Sequence, residues 1–222
     1  MKLVYPGINH VIDTEIDGVN ELVIENQKLF CEVLNDIYTQ LQGLEGNCVL
    51  SKDNKVLELG KYLEVLTQFV PFDMNRKTLL TKITAAVEKK ATEDECFLLT
   101  AEVMGRIEKY LLDLCYETNE HIEFSKLTIG TIIKAVGITL ADDYDDLGEK
   151  ISDYMELVNE FEREKLYVMV NLRSYLSDKE TEQFLQTVML HGYQVLLLEN
   201  CERSLLSNEK RYLVDANLCE IC

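Results

Sequence analysis

Between Lys165 and Asn171 the chain reads Lys-Leu-Tyr-Val-Met-Val-Asn, a continuous apolar run that stops at one polar residue. A run this short, partly β-branched and entered from charged residues, fits a strand buried on both faces, as in a parallel sheet under helices. A second run, Gln194-Val-Leu-Leu-Leu-Glu199-Asn200, repeats the pattern. Between the two, Ser177-Asp-Lys-Glu180 is a capping box, followed by Phe184, Leu185, Val188 and Met189 at helical spacing. The three pieces make one βαβ unit. Open parallel sheets bind ligands beyond the carboxyl ends of their strands, so Asn171, Leu172 and Arg173 mark the first place to look for a site.

Upstream, Val19 to Ile24 predicts a strand, and Leu29, Phe30, Val33, Leu34, Ile37 and Leu41 form one face of a helix that Gly43 ends. A phosphate-binding loop at this strand-to-helix turn would need glycines, a Lys and a Ser or Thr. The turn, Ile24-Glu-Asn-Gln-Lys28, has no glycine and presents an acidic side chain. Gly60-Lys61 lies in another context and does not restore the motif, so nucleotide hydrolysis is rejected. Cys48 to Leu50 and Val56-Leu57 flank a hairpin turn, and residues 62–70 read as a mostly apolar strand. From Asn75 the period becomes helical. Leu79, Leu80, Ile83 and Val87 mark a first helix, and Cys96, Leu99, Val103, Ile107, Leu111 and Leu114 a longer second one, the pair forming an arm. Residues 128–136 make a third helix, and Leu147 to Phe161 a fourth that returns the chain to the strand at 166. The segment from Glu202 to Cys222 predicts a short helix and one or two strands around Tyr212-Leu-Val214. Residues 75–150 thus read as a helical insertion between the two parts, 1–74 and 151–222, of an α/β sheet domain.

With 222 residues, 47% of them hydrophobic, the chain has ample material for a core. Its net charge of −18 excludes indiscriminate binding to polyanions, which rests on Lys and Arg, and leaves only a local basic surface for that purpose. The N-terminus lacks the apolar core of a signal peptide, and no apolar stretch approaches the roughly 20 residues of a membrane span; a cytoplasmic protein is expected. Seven cysteines, at 31, 48, 96, 115, 201, 219 and 222, then read as reduced core thiols. Cys219 and Cys222 form a CxxC without a second pair, which makes neither a zinc nor a redox site. His10, His121 and His191 pair with no motif Ser or Cys, and no enzyme is expected.

A collinear series then matches one family over nearly the whole chain: Glu21-Leu-Val-Ile-Glu25 leading into its helix, Pro71-Phe-Asp73 before the arm, and Ile122-Glu-Phe-Ser-Lys-Leu-Thr-Ile129 through Ile133-Lys-Ala-Val-Gly137, with Lys165 to Asn171 and Val195-Leu-Leu-Leu-Glu199 completing it. The sequence resembles the type II-A CRISPR spacer-acquisition accessory proteins of the Csn family, in their short ring-forming version. The resemblance implies a head domain related to P-loop ATPases but lacking a phosphate-binding loop and nucleotide, with an inserted α-helical leg. It implies a homotetrameric ring that takes up linear double-stranded DNA by its ends, without sequence preference or catalysis, during spacer acquisition. The implied partners are the CRISPR integrase proteins and the effector nuclease, and the implied ion is calcium near the leg.

Only segregated charge reconciles DNA with −18. Arg76, Lys77, Lys82, Lys89 and Lys90 cluster in the first arm helix, opposed only by Glu88. Lys82 and Lys89 lie on one side, roughly 10 Å apart along the axis. Lys52, Lys55 and Lys134 are further candidates, whereas Lys165 and Lys210 serve as remote controls. The plainer reading of each is a solvated surface charge. For metal the candidates are Glu120 and Glu123, with Glu117 beside them; where the family has an acidic pair this chain has Ser125-Lys126, and an ammonium there repels a calcium ion. Asp142, Asp143, Asp145 and Asp146 fit helix capping better than an EF-hand, whose spacing Leu147 and Gly148 break. The competing function is an acidic oligomeric interaction protein that binds adaptation partners without DNA.

Overall fold

A computed structural model describes residues 1–15 and 18–221, so Cys222 of the CxxC pair lies outside the described residues. In chain order the elements are β1 (Lys2–Val4), β2 (Ile12–Asp13), β3 (Val19–Ile24), α1 (Gln27–Leu41), β4 (Val49–Lys52), β5 (Lys55–Leu57), α2 (Leu59–Tyr62), β6 (Leu63–Leu66), α3 (Lys77–Thr92), α4 (Asp94–Thr118), α5 (Ile129–Val136), α6 (Leu147–Phe161), β7 (Leu166–Val170), a 3-10 turn (Leu172–Ser174), α7 (Asp178–His191), β8 (Gln194–Glu199), β9 (Glu209–Val214) and β10 (Glu220–Ile221). The protein is mixed α/β. It divides into two compact units, one made of Met1–Asp73 with Asp143–Cys222 and the other of Met74–Asp142.

The first unit is built on a sheet of order β10-β9-β3-β8-β7-β6, in which β9, β3, β8, β7 and β6 run parallel and β10 is antiparallel at the edge. The register sets Leu22 opposite Leu198 and Tyr212, and Val168 opposite Leu196 and Val65. Because side chains alternate along a strand, Leu22, Ile24, Val168, Leu196 and Leu198 share one face. They form one core with Leu29, Val33 and Ile37 of α1 and with Leu3, Ile12 and Leu50 of a small sheet ordered β2-β1-β4-β5. Burying each such side chain contributes about 1.5–3 kcal/mol.

The opposite face mixes Tyr167, Met169 and Leu197 with Glu21, Glu64 and Glu199, all buried. Here α6 buries Ile151, Tyr154, Met155 and Val158, and α7 buries Thr181, Phe184, Leu185 and Val188. Tyr167 Oη donates to the Met155 carbonyl at 3.2 Å, and Tyr154 Oη donates to Glu64 at 3.0 Å. Lys165 is buried between Glu64 at 3.0 Å and Glu162 at 2.7 Å.

The βαβ unit forms as its pattern predicts. Ser177 Oγ accepts from Glu180 N, the Glu180 carboxylate accepts from Ser177 N, and Gly192 ends α7 in the left-handed region at φ 66°. Asp53 and Asn54, both at positive φ, serve the tight turn between β4 and β5 in place of glycine. The strand expected over 62–70 is confined to β6. Phe69 and Phe72 leave the sheet for an aromatic cluster, with ring centroids 5.4 Å from Tyr175 and from Tyr154 respectively. No helix follows β8 among the described residues, contrary to the expected short helix; residues 200–208 cross to β9 in neither helix nor strand.

The second unit contains α3, α4 and α5. Leu79 and Ile83 are buried, but Val87, expected on the same face, is exposed. Thr128 caps α5 and Gly137 ends it at φ 78°. On α4 the half-buried residues Cys96, Thr100, Met104, Ile107, Leu111 and Cys115 form a stripe at helical spacing, with Glu108 half-buried beside it. Leu99, Val103 and Leu114, predicted to join it, are exposed, as are Tyr110 and Tyr116. The sequence of α4 carries apolar residues on more than one side, and packing within the chain uses only one of them.

Candidate nucleic-acid interface

The net charge of −18 is unevenly divided between the two units. Residues 74–142 hold nine Lys and Arg against eleven Asp and Glu, a net of −2. The remaining residues hold thirteen against twenty-nine, a net of −16. Within the near-neutral unit, the stretch from Arg76 through α3 carries five cations and one anion, Glu88. Exposed charges more than about 10 Å apart are largely screened at 0.1 M salt, so it is the charge close to a surface that sets what it binds.

The candidate cations are placed as follows. Lys77, Lys82, Lys89, Lys90 and Lys134 are exposed and Arg76, at the N-cap of α3, is half-buried. Seven residues of spacing keep Lys82 and Lys89 on one side, whereas Lys77 lies about 140° around the axis from Lys82 and Lys90 about 100° from Lys89. The cluster is therefore not one stripe. Lys77 and Lys134 line a common open hollow with Thr81, Thr84 and Glu88. Lys89 and Lys90 line another with Glu93 and Glu95, and Lys89 Nζ lies 3.3 Å from Glu93. Lys52 and Lys55 face each other across the hairpin of the first unit. Lys52 is engaged by Glu164 at 2.7 Å, and this hydrogen bond holds its ammonium above the ordinary lysine pKa.

The strand-end position takes a different form from the open crevice expected there. Asn171 adopts φ 57° and its Oδ1 accepts from Asn200 N at 3.0 Å, closing the ends of β7 and β8 onto each other. Arg173 turns inward and is 2% exposed. Its guanidinium donates to Glu21 at 3.1 Å, Glu209 at 3.2 Å, Asp178 at 3.0 Å and the Ser204 carbonyl at 2.8 Å. Arg211 Nε bonds the other oxygen of Glu21 at 2.5 Å. Burial raises the carboxyl pKa of Glu199 to about 7 and also pushes that of Glu209 up. The sequence signal for this cluster is an acidic residue inside a run buried on both faces, at Glu21 and Glu199, which demands buried partners. At the other strand end relevant to phosphate, Asn26 Oδ1 accepts from Leu29 N at 3.0 Å, so the N-terminus of α1 is capped by its own chain.

The metal candidates do not come together. Glu117, Glu120, Glu123, Ser125 and Lys126 are exposed, and His121 lies 3.8 Å from Glu120. Among the described residues no group of three or more His, Cys, Asp or Glu is arranged to hold a metal ion. Calcium takes six to eight oxygens, several of them from carboxylates. Asp146 Oδ1 accepts from Glu149 N at 2.8 Å as the N-cap of α6, the role its position predicts. Of the described thiols, only Cys48 is buried, which pushes its pKa up to about 12; Cys31, Cys201 and Cys219 are exposed, contrary to a core role for all. No helix is long and apolar enough to cross a membrane among the described residues.

Two comparisons with known proteins bear on this arrangement. The family model described as CRISPR-associated protein (Cas_Csn2) matches residues 40–218. The CRISPR-associated protein Csn2 of Enterococcus faecalis is 25% identical over 210 residues, 91% of each chain. That of Streptococcus agalactiae is 22% identical over 179 residues, 80% of each chain. Since the model spans most of the sequence and both relatives align along most of their lengths, the chain belongs to the CRISPR-associated Csn2 family.

Proposed function

We propose that this protein is a non-catalytic, ring-forming homotetramer that binds the ends of double-stranded DNA without sequence specificity during CRISPR spacer acquisition, with a P-loop-ATPase-like head and an inserted helical leg. The segregation of charge carries this reading: −16 falls on one unit and a basic helix on the other, which is close to neutral. Repeating α3 around a ring concentrates positive potential on the channel, and Lys and Arg that meet phosphates release counterions whatever the base sequence. The exposed Leu99, Val103, Tyr110 and Leu114 of α4 support assembly, because an uncovered apolar stripe on a long helix is stabilised by a partner. A nucleotide-free head is supported by the glycine-free turn after β3 and by the Asn26 cap of α1.

The deciding measurement is binding of the purified protein to linear and to covalently closed duplexes of the same sequence at two salt concentrations. A closed ring accepts only a free end, so linear DNA is expected to bind and circles to bind poorly. Equal affinity for both rules out threading. Binding of neither favours the acidic interaction protein, and a monomer in sedimentation removes the ring.

A further inference from the structure

β8 and β9 run parallel on either side of β3, so the chain must cross from the end of one to the start of the other. Parallel crossovers ordinarily contain a dozen or more residues, most often as a helix whose apolar face covers the sheet. Here residues 200–208 do it without a helix. The register places Glu199 beside Val23 and Glu209 beside Val19, a separation of roughly 16 Å from strand rise and spacing. Nine residues reach about 30 Å when extended, so the crossing has slack and side-chain bonds must hold it.

Those bonds are polar. Residues 201–205 are exposed and Leu206 is only half-buried, so no side chain of the crossing is sunk into the core. Arg173 donates to the Ser204 carbonyl at 2.8 Å, Arg203 to Ser174 Oγ at 3.1 Å, Arg211 to Glu202 at 3.1 Å, and Leu206 N to Glu209 at 2.8 Å. Beneath lie three carboxylates sealed from solvent, Glu21, Glu199 and Glu209, with two guanidiniums, Arg173 and Arg211. Both guanidiniums bind Glu21, and Arg173 also binds Glu209. Glu199 receives only the backbone N–H of Arg173 at 3.1 Å, and its Oε2 has no hydrogen-bond partner. Among the described residues, one buried carboxylate is therefore left without an ion-pair partner.

We propose that residues 200–208 are a proton-controlled strap: Glu199 holds a proton while the strap lies on the cluster, and loss of that proton to solvent releases the strap. The charged groups around Glu199 are Glu21 on β3, Arg173 in the 3-10 turn and Arg203 on the strap, with Glu209 and Arg211 on β9 and Asp178 at the start of α7 completing the cluster. Ionisation puts a third negative charge against two positive ones in a dry space, and admitting water to Oε2 relieves it. Admitting that water means lifting the crossing, which is fastened by polar groups rather than by a buried apolar face.

The test is hydrogen exchange of the full-length protein at pH 6 and pH 8, corrected for intrinsic amide chemistry, with the Leu206 and Asn200 amides as probes. For a carboxyl titrating near 7 when covered and near its ordinary value when open, linkage gives about a tenfold loss of protection from pH 6 to pH 8. The loss should be confined to the strap, spare the amides of β3 and β8, and be mostly abolished in Glu199→Gln, with Glu209 accounting for what remains. Unchanged protection in the wild type, or an equal loss in Glu199→Gln, overturns the proposal. Should that variant not fold, infrared difference spectra of the wild type with isotope-labelled glutamate read the same proton. A protonated carboxyl band lost between pH 6 and pH 8 supports the strap, and its absence throughout overturns it.

Discussion

Arg173 Nη1 lies 3.1 Å from Glu21 Oε1 with both side chains almost wholly removed from solvent, so the central strand of a hydrophobic sheet carries a buried ion pair. Taking such charges out of water costs several kcal/mol each, which good geometry and further hydrogen bonds must offset. Arg173→Met removes one guanidinium from three buried carboxylates. The expected drop in stability is about 3–5 kcal/mol in urea unfolding, with part of it recovered by adding Glu209→Gln. A drop under about 1 kcal/mol would mean that the cluster is solvated and the pair worth no more than a surface one.

Stability should also depend on pH through Glu199, whose carboxyl is raised to about 7 in the folded chain from 4.5. The native state binds this proton more tightly than the unfolded state. Its contribution is therefore fully present below about pH 4.5 and lost as pH rises through 7. The loss amounts to about 3 kcal/mol, and Glu209, shifted the same way, adds to it. Glu199→Gln should abolish most of this slope between pH 5 and pH 8. Thermal melts of both proteins with the same slope would place Glu199 in water.

For DNA, Lys82→Glu with Lys89→Glu should abolish binding while leaving the melting temperature unchanged, since both side chains are exposed. In the single variants Lys82→Glu and Lys89→Glu, which retain measurable binding, the slope of log affinity against log salt should fall by about 0.9 for each phosphate no longer neutralised. Lys210→Glu, exposed in the acidic unit, is the matched control. Lys165 fails as a control, because Lys165→Glu would set a third carboxylate against Glu64 and Glu162 and unfold the protein. Equal weakening by the double variant and Lys210→Glu would remove α3 from the interface.

Calcium provides a fourth check. Lys126 follows Glu123 by three residues where the resemblance implies an acidic pair, and on the proposed ring its fixed positive charge would offset part of the repulsion that an ion would otherwise neutralise. A chelator should change neither the sedimentation coefficient nor the melting temperature by much, whereas Lys126→Glu should make at least one of them respond to millimolar calcium. A wild type that dissociates in chelator would point to ligands contributed from more than one subunit.

What the sequence determined was the local structure. The uninterrupted run at 166–170, the capping box at Ser177 and Glu180, and the apolar spacing of α1, α6 and α7 each have one low-energy answer, because backbone geometry and burial on one or two faces leave little choice. The glycine-free turn after β3 was equally legible, since a phosphate cradle depends on residues next to each other in the chain. What the tertiary structure decided were matters that depend on neighbours far apart in sequence. Arg173 at a strand end looks available to a ligand until Glu21, Glu209 and Asp178 close on it, and Lys165 looks like a surface charge until Glu64 arrives from a different strand. On α4 more than one apolar stripe satisfies the same helical period, and only packing selected the one that includes Cys96, Met104 and Cys115, leaving Leu99 and Val103 uncovered. Periodicity fixes which residues share a side of an element, whereas the chain's distant parts determine which side is buried and which charges must be paired.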